Sequence, residues 1–312
     1  MESLDRAARA IWLGCAIMLW PSFCAAELTS VTLQWIDPTQ MATGAYRWQD
    51  AGGQLYSANY RNTYRYNQPG VIVWATFERV SGTLRGTFNA RNLKPNFAYQ
   101  LKLNGDPGTM GSNELIGFSG RWWEETWSGT AWANGANLNN KGTGSFPNPN
   151  DTVYLARRDT LDPTSPTGKK YRYTGYRVFD YFITDQNGAT SFTFEVKGCY
   201  HVLWLTWQQS RGANDGPLKT VTFDPSPSQP AYDVDYSSKT ASVFGEWERL
   251  PMGGVPLLPG DYNCQIMLTE ESFHGWDSSN SKPYAGGWAA AMGAPIQFSI
   301  LPSLAVSRWT LY

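Results

Sequence analysis

The chain has 312 residues, with 25 Lys and Arg against 26 Asp and Glu and a formal net charge of −1. No run or patch of basic residues stands out, which removes the electrostatic basis for nucleic-acid binding and for adhesion to anionic membrane. Aromatic residues make up 15% and charged residues only 16%, a near-parity that points to ring-rich sheet faces.

Residues 1–26 read as an export signal. Arg6 and Arg9 precede an apolar run over 10–20, Pro21 breaks it, and Cys24-Ala25-Ala26 offers small residues for cleavage. The apolar run is too short, and too soon interrupted, for a membrane span. Pro21-Ser22-Phe23 before Cys24 is a poor match to a lipobox. The expected product is residues 27–312, secreted to an extracellular or periplasmic space, without integral membrane association. Two of the four cysteines leave with the leader. Cys199 and Cys264 remain, and an even count in an exported chain reads first as one disulfide. Such a bridge would be worth about 4 kcal/mol in chain entropy. The alternative is two separate buried thiols.

After the leader, period-2 alternation recurs along the chain. Val31, Leu33 and Trp35 alternate with Thr32 and Gln34. The run 71–78 (VIVWATFE) is apolar on both faces and predicts a central strand. In 81–105, Leu84, Gly86, Phe88 and Ala90 mark one half-buried strand, and Tyr99, Leu101 and Leu103 mark a second. Over 111–170 strand signals fade and Gly, Asn and Pro dominate, which predicts a long loop with one short strand at 152–156. Strand character returns at 176–184. Asp185-Gln186-Asn187-Gly188 then signals a hairpin turn into Phe192, Phe194 and Val196. Further strands are expected at 200–207, 219–223, 244–249, 295–300 and 304–311, and along Tyr262, Cys264, Ile266 and Leu268. The only helical candidate is a short one at 289–292. The expected class is all-β and antiparallel.

Three short stretches resemble parts of known sandwich folds. Leu93-x-Pro95-x-x-x-Tyr99 resembles the tyrosine corner of fibronectin type III and immunoglobulin-like sandwiches, where the Tyr hydroxyl bonds back to backbone at a strand entry. Leu258-Pro259-Gly260-Asp261-Tyr262 is similar to a turn of bacterial surface sandwiches, and 184–192 is similar to the hairpin of transthyretin-like repeats. Residues 113–123, 179–185 and 200–204 together resemble uncharacterised exported proteins of prokaryotes. These likenesses imply an antiparallel β-sandwich, either one large unit or two packed ones dividing into 27–170 and 171–312. They carry over no catalytic residue. The immunoglobulin Cys…Trp…Cys spacing is not met, since Trp204 lies five residues beyond Cys199 and Trp247 seventeen before Cys264.

The strongest site signal is Trp122, Trp123, Trp127 and Trp132, followed by Asn134 and Asn137. Exposed indoles stack on the apolar faces of sugar rings while amides and carboxylates meet hydroxyls. The opposing reading has the same rings packed inside. Glu124 and Glu125 raise glycoside hydrolysis, but adjacent strand residues point to opposite faces. Glu246 and Glu248 share a face and form a better pair, roughly 7 Å apart by strand rise. Asp233 and Asp235, with Asp224, could offer oxygens to Ca²⁺, without the EF-hand spacing. His201 and His274 are isolated, and HExxH, GxSxG, Walker A and GxGxxG elements do not occur. No cofactor is expected. Arg308 interrupts the alternation an outer-membrane barrel would need at the C-terminus. The leading expectation is a secreted or cell-surface protein with a non-catalytic binding or structural role, whose partner is a glycan or a surface protein. The alternatives are an extracellular glycoside hydrolase or polysaccharide lyase, and a surface-layer or filament subunit.

Overall fold

The structure, a computed structural model, describes residues 27–36, 48–52, 54–107, 111–138, 151–197, 202–203, 219–223, 231–233, 239–245, 256–270, 276–277, 282–283 and 289–302. In chain order come β1 (Leu28–Thr32), β2 (Gln34–Trp35), α1 (Ala58–Thr63), β3 (Ile72–Glu78), β4 (Val80–Ser81), β5 (Arg85–Arg91) and β6 (Ala98–Asn104). Then follow α2 (Ser112–Ser119), β7 (Arg121–Trp127), β8 (Trp132–Asn137), α3 (Asp151–Arg157), β9 (Tyr171–Ile183) and β10 (Thr190–Glu195). The remaining strands are β11 (Val202–Leu203), β12 (Lys219–Phe223), β13 (Lys239–Gly245), β14 (Gly260–Thr269), β15 (Trp276–Asp277), β16 (Lys282–Pro283) and β17 (Ala290–Ile300). No helix among the described residues is long and apolar enough to cross a membrane.

The protein is all-β and antiparallel. One sheet has the order β1-β3-β5-β10 and a larger one the order β2-β17-β14-β6-β9-β7-β8. Strand β4 joins the larger sheet by a parallel pairing with β17, and two small sheets hold β11-β13-β12 and β15-β16. Both main sheets draw strands from either side of residue 170. Alternation decides the burial. In β3, Val73, Ala75 and Phe77 are buried while Trp74, Thr76 and Glu78 are half-buried, so this strand is two-sided rather than apolar throughout. The second strand of 81–105 departs in the opposite direction. It occupies the middle of the larger sheet as β6, and Gln100 and Lys102 are buried along with Leu101 and Leu103.

The sheets meet through aromatic rings. Phe88 of the smaller sheet lies 5.2 Å from Phe182 of the larger, and Phe194 lies 5.5 Å from Phe179. Burial of one such ring is worth about 1.5–3 kcal/mol.

The expected 185–188 hairpin forms its turn but not its strand pair. The Asp185 carboxylate accepts the N–H groups of Asn187 and Ala189, each at 2.8 Å, and Gly188 takes φ +69°. The chain then changes sheet: β9 pairs with β6 and β7, whereas β10 pairs with β5. Residues 92–97 make the reverse passage from β5 to β6, using positive φ at Asn92 and Asn96, a backbone form that Asn tolerates. The two crossings are bonded to each other. Leu93 N–H donates to Gly188 O and Asn96 N–H to Asp185 O, both at 3.0 Å. The Thr184 hydroxyl donates to Lys94 O at 2.6 Å. At the other end of the smaller sheet, Arg79 N–H donates to Glu27 O, and Arg79 O and Ser81 O accept from Ser299 at the end of β17 and from Leu301 just past it.

Among the described residues of the expected long loop over 111–170 stand α2, β7, β8 and α3, and the short strand expected at 152–156 is helical; residues 139–150 lie outside the described residues. The expected short helix at 289–292 is instead the start of β17. Helix α2 seats because glycines let it approach the sheet. A Cβ on Gly117 would lie 2.3 Å from the Trp122 ring, and one on Gly175 would lie 2.2 Å from Asn113 O. Helix α2, with eight residues, and α3, with seven, are too short for a helical period to show in the sequence.

Candidate functional site

Strand β7 sorts the tryptophans by alternation. Trp122 faces α2 and α3 and has no exposed surface. Its ring stacks on Tyr154 at 3.7 Å, with Phe118 and Tyr173 edge-on. Its Nε1–H donates to the buried Asp151 carboxylate at 2.9 Å. On the same face Tyr154 donates to Glu114 Oε1 at 2.5 Å, and Tyr173 donates to Glu124. Arg158 and Arg157 pair with these two carboxylates at 2.6 and 3.1 Å. Burial first, and the adjoining carboxylate second, push both tyrosines above their ordinary pKa. Trp122 is therefore a packing residue and not part of an exposed platform.

Trp123, Glu125 and Trp127 occupy the opposite face. Trp132 is the cross-strand partner of Trp127, and Arg172 that of Glu125. Trp127 and Trp132 meet edge to face at 5.4 Å. The Arg172 guanidinium lies 4.9 Å from the centre of the Trp132 ring. It also grips Glu125 in a fork, Nε to Oε2 and Nη2 to Oε1, both 2.8 Å. Trp123 lies over Gly135, where a Cβ would come within 2.3 Å of the indole. Trp127 Nε1–H donates to the Thr164 hydroxyl at 3.1 Å. The three indoles are half-buried, and the Arg172 and Glu125 side chains keep 36% and 21% of their surface. Asn137 is opposite Trp123 in register, and Asn134 sits within a β8 irregularity between the pairs Glu124↔Ala136 and Thr126↔Ala133.

The arrangement is an aromatic strip on the β7–β8 hairpin at the margin of the larger sheet, with one charged pair set into it. Indole faces can stack against apolar ring faces, and the fork can exchange hydrogen bonds with hydroxyls. Glu124 and Glu125 stand on opposite faces, each engaged by its own arginine, as alternation predicts.

Other expected residues divide differently. Glu246, Glu248, Asp224, Asp235, His201, His274 and Cys199 lie outside the described residues. Asp233 is exposed. Among the described residues no group of three or more His, Cys, Asp or Glu could hold a metal ion. Cys264 is a free buried thiol, pushed up to about 12 by desolvation. Its expected partner, Cys199, lies outside the described residues.

A second centre is absent from the sequence reading. Lys94 Nζ meets Glu270 Oε1 at 2.7 Å, and both side chains are fully buried. The Lys94 ammonium lies 4.2 Å from the centre of the Trp48 ring, 4.5 Å from Phe97 and 5.7 Å from Tyr66. Tyr66 donates to the same Glu270 oxygen, and its hydroxyl is 3.2 Å from that of Tyr99. The Tyr99 hydroxyl accepts Lys94 N–H at 3.2 Å. Burial, then the Glu270 charge, raises Tyr66 and Tyr99 well above the usual tyrosine range. Around them Tyr60 stacks on Tyr64 at 5.0 Å and Tyr56 on Tyr232 at 5.4 Å. Tyr56, Tyr60, Tyr64 and Tyr66 crowd into eleven residues around α1, and that density of tyrosines is the one sequence feature near this centre.

Comparison of the chain with protein-family models, curated proteins and solved structures gives no match.

Proposed function

We propose that this is an exported, non-catalytic β-sandwich protein of immunoglobulin or fibronectin III type that binds glycan through the strip Trp123, Trp127 and Trp132. One observation carries the reading: three half-buried indoles share one face of an edge hairpin, with the Arg172–Glu125 fork among them. Buried rings cannot stack on a ligand, and isolated exposed rings need no explanation. A row of partly exposed indoles beside a hydrogen-bonding fork suits flat, hydroxyl-rimmed sugar rings. The export signal fits an extracellular or periplasmic site of action.

Titration of soluble polysaccharides, followed by intrinsic tryptophan fluorescence and backed by a glycan array, tests the reading. Loss of each indole is expected to cost about 1 kcal/mol of binding. Trp127→Ala with Trp132→Ala should therefore weaken binding roughly thirtyfold, with far-UV circular dichroism unchanged. No response from the wild type to any glycan, or equal affinity for the double variant, sinks the proposal.

A further inference from the structure

The Lys94–Glu270 contact joins residues 176 apart in sequence, with both side chains fully buried. A buried ion pair is a poor device for stability, because two desolvated charges regain in mutual attraction little more than they lose in hydration. Here the pair is also walled by Trp48, Phe97 and Tyr66, so no bulk water lies alongside. The contact sets Nζ beside the Glu270 carboxyl group with bulk water excluded, a proximity that favours condensation of an amine with a carboxyl group once one ammonium proton has passed to the carboxylate.

We propose that Lys94 and Glu270 mature into an intramolecular amide. One ammonium proton passes to the carboxylate, which frees the Nζ lone pair; the Nζ–Cδ bond then forms and the Cδ–Oε2 bond breaks. Two of the three ammonium protons leave with Oε2 as water, and the third stays on the amide nitrogen. The two opposite charges vanish together, and no oxidant, reductant or co-reactant is needed. Tyr66, already donating to Oε1, holds the oxygen that carries negative charge in the tetrahedral intermediate. Tyr99 in turn holds the Tyr66 hydroxyl and the Lys94 backbone N–H. The product replaces two buried charges by one neutral group, so the pocket that penalises the ion pair favours the bond. It would tie the β5–β6 crossing, where Lys94 sits, to the end of β14, after which Glu270 follows.

Mass spectrometry of the purified wild-type chain, denatured and reduced, tests this. The intact mass should fall short of the sequence mass by one water. Proteolysis should yield a branched peptide joining the segment around Lys94 to the segment around Glu270. The branched peptide is decisive, because cyclisation of an amino-terminal Glu27 would also remove one water. K94R should show neither the branch nor the associated mass loss. Linear peptides carrying unmodified Lys94 and Glu270 from the wild type overturn the proposal, and this readout does not require any variant to fold.

Discussion

Trp122 and Trp123 are adjacent in the chain and serve different purposes, because consecutive strand residues leave opposite faces of the pleat. Trp122 closes a small core with Tyr154 and Tyr173 and anchors α3 through Asp151. Trp122→Ala should destabilise the fold by about 3–5 kcal/mol, read as a lowered denaturant midpoint. The Trp127→Ala and Trp132→Ala pair, on the half-exposed face, should leave that midpoint much closer to wild type. The aromatic strip is legible in the sequence as a cluster of indoles, and strand alternation assigns its members to faces once a strand is assumed. The Lys94–Glu270 centre is not legible in the same way. Neither residue belongs to a metal or catalytic spacing, and only the fold brings together two side chains so far apart in sequence.

At the level of elements, the strands are the readable part. Strand β3 is found from its apolar run, and the buried first half of β17 passes for a short helix. Alternation locates β5, β14 and the second half of β17, because a two-sided strand writes its burial into every second residue. It does not say which strand lies alongside, and so a turn with sound hairpin chemistry at 185–188 turns out to connect two sheets. The helices are unreadable for another reason. Helix α2 begins at Gly111 without a side-chain cap and contains Gly117, so its formation depends on packing against β9 and β7 rather than on propensity. The crossing itself gives a test. A Cβ at Gly188 would lie 1.9 Å from Leu93 O, and the backbone there has positive φ. Gly188→Ala should therefore cost about 2 kcal/mol or more, seen as a lowered Tm. An alanine at Gly82, where a Cβ meets nothing within 4 Å, is the matched control.

On the scale of the whole molecule, the sheets interleave early and late chain. Strands β9 and β14 pair with β6, and β10 with β5. A fragment of residues 27–170 would lack the neighbours of β6 on both sides. It should remain unfolded, with narrow amide dispersion in NMR spectra, while 27–312 folds cooperatively; a well-dispersed spectrum from the fragment refutes this. The lacing of the crossings at one end of the smaller sheet, and of Arg79 and Ser81 to β17 at the other, has a mechanical corollary. Stitched at both ends, the two sheets resist sliding past each other, so a load taken up by one is shared with the other.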